Sequence, residues 1–218
     1  MSELLLSPVE ARVVAVLVEK SITTPAYYPM TVNAIMLAAN QKTSRSPVMN
    51  LGEGEIGNAL NALEERKLVA RDSFSGRAQK WRQQFMHQML LKPQTQALLV
   101  TLLLRGPQTL SELRGNAAVL GGPGDDEALR VALDDLADRA QPLVTALARA
   151  PGQSAQRWAP LLCGAEALST AEPEVLAASP ARSEDAGRVA QLEARVSTLE
   201  ARLAALESQL GIGGGDAA

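Results

Sequence analysis

Val9, Val13, Val16 and Leu17 recur at intervals of three and four, which predicts a helix over roughly residues 8–20. Ser7 offers an N-cap, Pro8 takes the first helical position, and Glu10 completes a capping box. Val32, Ile35, Met36 and Ala39 mark a second helix over about 30–40, after the breakers Thr23-Thr24-Pro25 and Tyr28-Pro29. A polar connector, Asn40 to Pro47, leads to a third helix over roughly 53–67, with Ile56, Ala59, Leu60 and Leu63 on one face. Leu68–Ser73 and Ala78–Phe85 then read as strands around the turn signal Phe74-Ser75-Gly76-Arg77.

The pattern then repeats. Leu91-Lys92-Pro93 answers Leu6-Ser7-Pro8, and Leu98–Leu104 answers the apolar run Val13–Val18. Ile56–Leu63 is echoed by Leu129–Leu136, and Ala78-Gln79-Lys80-Trp81 by Ala155-Gln156-Arg157-Trp158. In the second copy a helix starts at Pro93, and a Thr109/Glu112 capping box opens the next. A third helix follows over about 125–140, then a hairpin of Leu143–Ala148 and Ala155–Pro160 turning at Pro151-Gly152. Three helices followed by a hairpin is winged-helix order. The expectation is an α+β, mainly α chain with winged-helix domains at 1–88 and 89–162; a six-helix bundle with incidental hairpins is the rival.

From Cys163 to Ser183 the composition is that of a linker, rich in Ala, Pro, Ser and Glu. Across 184–210 the period becomes seven. Val189, Leu192, Val196, Leu199, Leu203, Leu206 and Leu210 form an a/d seam, flanked by Arg188, Arg195 and Arg202 at g and Glu193, Glu200 and Glu207 at e. Those signs favour a parallel homodimer, against the alternative of a helix folding back on the globular part. Residues 211–218 are expected to be a disordered tail.

Composition removes more chemistry than it adds. One cysteine, Cys163, and one histidine, His87, leave no internal disulfide and no Cys/His zinc set. No phosphate-cradling or nucleophile-elbow string occurs, so no enzyme, metal or cofactor is expected. No apolar run approaches the about 20 residues of a membrane span, and Met1–Lys20 lacks the basic start of a leader. The expected location is the cytoplasm, with no membrane partner.

Charge separates the copies. Residues 1–88 carry a net +2, residues 89–162 carry 0, and the remainder −5. Arg71, Arg77, Lys80 and Arg82 lie on the first predicted wing, and Lys42 and Arg45 just before the third helix. Those places flank the helix that a winged helix sets in the major groove, so phosphate contacts are expected there, with Asn58 and Asn61 as base readers. The equivalent helix of the second copy carries Asp125, Asp126, Glu127, Asp134, Asp135 and Asp138, which suits a protein partner better than DNA.

Glu10-Ala11-Arg12-Val13-Val14, Leu17-Val18-Glu19-Lys20, Thr23-Thr24-Pro25, Tyr28-Pro29, Asn40-Gln41-Lys42-Thr43 and Pro47-Val48-Met49 resemble the YceH-like bacterial proteins over roughly residues 4–162. The resemblance implies tandem winged helices and no particular activity. It leads one to expect Asn, an acid and Cys where Ser44, Ser46 and Ala39 stand. The expected function is a dimeric DNA-associated regulator acting through the first copy; the alternative is a protein-interaction adaptor that binds no nucleic acid.

Overall fold

The computed structural model describes residues 4–73, 78–149 and 155–163. The linker beyond Cys163, the heptad segment with its seam from Val189 to Leu210, the tail, and both hairpin turns, Arg77 included, lie outside the described residues. The chain is α+β and mainly helical. In the first half α1 (Pro8–Thr23), β1 (Met30–Thr31), α2 (Val32–Ala39), α3 (Glu53–Glu65), β2 (Val69–Arg71) and β3 (Lys80–Gln83) follow one another. A short α4 (Phe85–Gln88) leads to α5 (Pro93–Arg105), β4 (Gln108–Thr109), α6 (Leu110–Ala117), α7 (Asp126–Ala137), β5 (Val144–Ala146) and β6 (Arg157–Pro160). Each half folds its strands into an antiparallel sheet of the same order, β1–β3–β2 and β4–β6–β5. That order is winged-helix-like.

Local chemistry sets the helix ends. Ser7 and Glu10 form their capping box, as do Thr109 and Glu112. The second helix starts later than expected because Thr31 stays extended, ψ 161°, and caps Ala34 N with its hydroxyl. Met30 and Thr31 are therefore free to pair with Trp81 and Lys80. The third helix stops at Glu65. Lys67 turns left-handed, φ 59°, so that its own N–H reaches Glu64 O and the Leu68 N–H reaches Leu63 O, a Schellman closure.

Two short strands escape the hydrophobic pattern, and they unify the halves. Pro29-Met30-Thr31 and Pro107-Gln108-Thr109 are equivalent: each pair of strand residues faces the repeated Lys/Arg-Trp pair, and each threonine then caps a helix. In each half a third strand, β1 or β4, thus joins the hairpin pair in one sheet.

The core runs without a break through both halves. Residues 10–18 of α1 and 95–104 of α5 are buried on every side, and the two helices pack on each other. A helix apolar all round is an interior helix, which is why both stretches read as near-continuous apolar runs. α2 and α3 cover α1; α6 and α7 cover α5. The start of the described chain closes the arrangement, Leu6 N donating to Leu162 O at 2.7 Å.

Candidate nucleic-acid interface

The wing and α3 of the first half are physically joined. β2 and β3 pair in register, Arg71 opposite Trp81, which places the Arg71 guanidinium 5.0 Å from the Trp81 ring centroid. From there Arg71 donates to Asn61 Oδ1 at 3.0 Å and lies 3.2 Å from Glu64 Oε2, both on α3. Next along, Arg82 is paired with Asp72 across the hairpin. Lys80 is half-buried, Lys42 is exposed, and neither has a carboxylate partner among the described residues. Asn58 is exposed on α3; Asn61 is exposed too, but its carbonyl oxygen already serves Arg71.

The acids of α3 are less repellent than their number suggests. Glu55 folds back to accept from Gly52 N at 2.8 Å, and Glu64 is engaged by Arg71. The basic wing is correspondingly less free, since two of its arginines come with built-in carboxylates.

Arg45 does not belong with these residues. Its side chain has 0% exposure, and Glu19 clasps it bidentately, at 2.6 and 3.1 Å. Its remaining donors go to Ala38 O, Ser44 O and Gln41 Oε1. A guanidinium so enclosed has nothing left for a phosphate, so Arg45 is a structural residue. Beneath it lies a second buried arginine. Arg12 donates to Ala39 O and Pro47 O, at 3.2 and 2.8 Å, while its Nε has no acceptor. Burial, and then the nearness of Arg45, lower its pKa to about 10.

The connector from Asn40 to Pro47 is thus stitched down at several points. Asn40 adds a two-way amide pair with the Leu51 backbone, both bonds at 2.8 Å. Ser44 sits left-handed, φ 61°, a conformation that Asn, the residue expected there from the resemblance, tolerates better than Ser. Arg12 and Glu19 were absent from the sequence-predicted set. A signal existed: a charged residue inside a run that buries every face needs polar partners nearby.

Elsewhere the chemistry is spare. Cys163 is half-buried and burial pushes its thiol pKa up, opposite to an activated nucleophile. Among the described residues no group of three or more His, Cys, Asp or Glu could hold a metal ion, and no helix is long and apolar enough to cross a membrane. In the second half Asp125 caps α7, Asp126 pairs with Arg114, and Asp135 lies 3.6 Å from Arg139.

Residues 6–153 match the family described as "Protein of unknown function, DUF480". A UPF0502 protein of Burkholderia ambifaria is 48% identical over 159 residues, covering 73% of this chain and 67% of its own. One from Cupriavidus metallidurans is 46% identical over 166 residues, covering 76% and 68%. With one from Burkholderia multivorans the similarity extends over 203 residues at 42% identity, covering 87% and 85%. These relatives agree with the resemblance carried by the connector string.

Proposed function

The chain belongs to the DUF480 family, a name that carries no activity, and from its surface we propose a non-enzymatic, DNA-associated regulator built from two tandem winged-helix domains. The observation that carries this reading is the join between wing and α3, where Arg71 links Trp81, Asn61 and Glu64. It fixes the wing against the helix that enters the groove in winged-helix docking. Lys42, Arg71, Lys80 and Arg82 are the phosphate contacts and Asn58 the free base reader. A guanidinium has five N–H donors, so Arg71 and Arg82 reach phosphate with donors beyond the Nη2 that meets Glu64 or Asp72.

Fluorescence anisotropy with a mixed-sequence duplex tests it. Four neutralised phosphates predict a log–log salt slope of about −3.6. A flat salt response, or unchanged affinity in the Lys42→Glu/Lys80→Glu double variant, refutes the reading. The heptad segment makes the regulator a parallel dimer. Removing residues 183–218 is then expected to halve the mass measured by light scattering, and an unchanged mass rejects the dimer.

An adaptor reading has its own observation. α7 exposes Val131, at 60%, beside a row of acids, a surface suited to a protein partner. It stands if the intact chain fails to bind duplex even at low salt.

A further inference from the structure

A polar cleft of about 240 Å³ opens where the connector of the first half meets the β4–α6 segment of the second. Ser44, Arg45 and Ser46 line one wall; Arg105, at the end of α5, and Arg157, on β6, stand with Gln108, Glu112 and Asn116 on the other. With Arg45 spent on Glu19, two guanidiniums, Arg105 and Arg157, meet one carboxylate, Glu112. We propose that this cleft binds a small phosphate-bearing ligand, gripped by Arg105 and Arg157.

The donors needed are present and unspent. A guanidinium carries five N–H donors in a planar fork. Arg105 uses one, on Ser44 Oγ at 2.7 Å, and has no carboxylate partner among the described residues. Arg157 donates to Pro107 O at 2.9 Å and is 3.6 Å from Glu112 Oε1, too long for a hydrogen bond. Glu112 cannot close that gap freely, because its other oxygen is held by Thr109 N and Oγ1 at 2.8 and 3.0 Å. Capping the helix holds the acid at ion-pair distance without a hydrogen bond, so the donors of the Arg157 fork stay open.

Charge behind the walls points the same way. Arg45 is spent on Glu19, and Arg12, buried next to it, has no carboxylate of its own. Two buried cations share one acid, which leaves an uncompensated positive charge near the connector wall. A dianion with several oxygens suits two forks arriving from separate elements, and the exposed hydroxyls of Ser44 and Ser46 supply further bonds. The volume admits a phosphomonoester headgroup. The cleft shares none of its residues with the four wing and connector cations assigned to DNA, so the two readings fail independently.

The probe is inorganic phosphate, titrated into the 15N-labelled full chain against sodium chloride of equal ionic strength. Saturable shifts confined to the amides of Ser44, Ser46, Gln108 and Asn116 are expected. They are expected to weaken by about tenfold in Arg105→Gln and in Arg157→Gln, less in Arg105→Lys, and not at all in Lys80→Gln. Unshifted thermal midpoints for these variants keep misfolding out of the comparison. Shifts that follow ionic strength alone, or equal binding by all variants, overturn the proposal. Displacement of bound phosphate from these amides by mixed-sequence duplex also overturns it, and reassigns the cleft to nucleic acid.

Discussion

The two wings share a frame and differ in what stands beside the tryptophan. Arg71 faces Trp81 in the first sheet; Ala146 faces Trp158 at the same register in the second. One residue further, Asp72 N donates to Lys80 O, and Leu147 N to Arg157 O. Arg82 of the first wing becomes Ala159 in the second. The backbone pairing is thus conserved between halves while three charged positions are replaced by Ala or Leu. Sheet geometry needs only the backbone ladder, so these side-chain positions were free to diverge. The charged wing is consequently a property added to the frame, which is why it points to a task.

The connectors differ more deeply, and here the largest effect is expected. In the first half two buried arginines hold the loop before α3; in the second, Leu120 and the close-packed Gly122 occupy the corresponding loop. Arg45→Ala leaves Glu19 with Lys20 at 3.5 Å and frees the Ala38 carbonyl, and breaking a buried pair on one side costs about 3–5 kcal/mol. Lys42→Ala, three residues away and exposed, is expected to stay within ~0.5 kcal/mol. Urea denaturation of both variants checks the contrast. Equal midpoints would show that the clasp contributes nothing beyond a surface pair.

The second loop breaks differently. A Cβ added at Gly122 would lie 2.7 Å from Ala117 Cβ and 2.9 Å from Ala117 O, and that backbone has no flexible end to move. Gly122→Ala is expected to destabilise by about 1–3 kcal/mol through overpacking. The urea midpoint of Gly122→Ala, set beside that of Arg45→Ala, tells whether charge or close packing holds the firmer loop.

A smaller effect separates the edge strands. Tyr28 accepts a hydrogen bond from Gln83 N, tying β1 to the end of β3; Gly106, left-handed at φ 74°, is its counterpart, and Arg157 instead holds Pro107 O. Burial raises the Tyr28 phenol above its ordinary 10.0. The folded chain therefore holds that proton more tightly than the unfolded chain does. The resulting stability is intact below pH 10 and is lost as pH rises through the folded value. Tyr28→Phe is expected to cost about 1 kcal/mol at neutral pH and to flatten this part of the alkaline loss. Urea midpoints taken at neutral pH and above pH 10 check both; an unchanged alkaline slope rejects the assignment.

Much of this frame was legible because its determinants are local. The Ser7/Glu10 and Thr109/Glu112 boxes, the apolar faces of α3 and α7, and the repeated Gln-Lys/Arg-Trp strings each announce an element within a few residues. The edge strands β1 and β4 were not, since two residues cannot display a period of two. Arg45 is hidden for another reason: in a polar string an arginine looks solvated, and only Glu19, far off in sequence, reveals its burial. The same holds for Arg71 and Arg82, whose partners Glu64 and Asp72 reduce the free charge that a count of basic residues suggests. Pairing across elements is where a one-dimensional reading loses the site.

The tryptophans give the finest test of the comparison. Trp81 is buried, at 4% exposure, with Arg71 against its ring, whereas Trp158, opposite Ala146, is partly exposed. Arg71→Ala removes a surface cation–π contact and an exposed ion pair, together about 0.5–1 kcal/mol, and is expected to red-shift tryptophan emission as water reaches the ring. The reciprocal change is more informative. Ala146→Arg places a guanidinium opposite Trp158, and the repeat sets the exposed Asp134 where Asn61 serves Arg71. If the frame alone positions the stack, this variant gains a few tenths of a kcal/mol and its emission shifts to the blue. If Ala146→Arg destabilises or leaves the emission unchanged, the wing of the first half depends on residues beyond the shared sheet, and its charge cannot be transplanted.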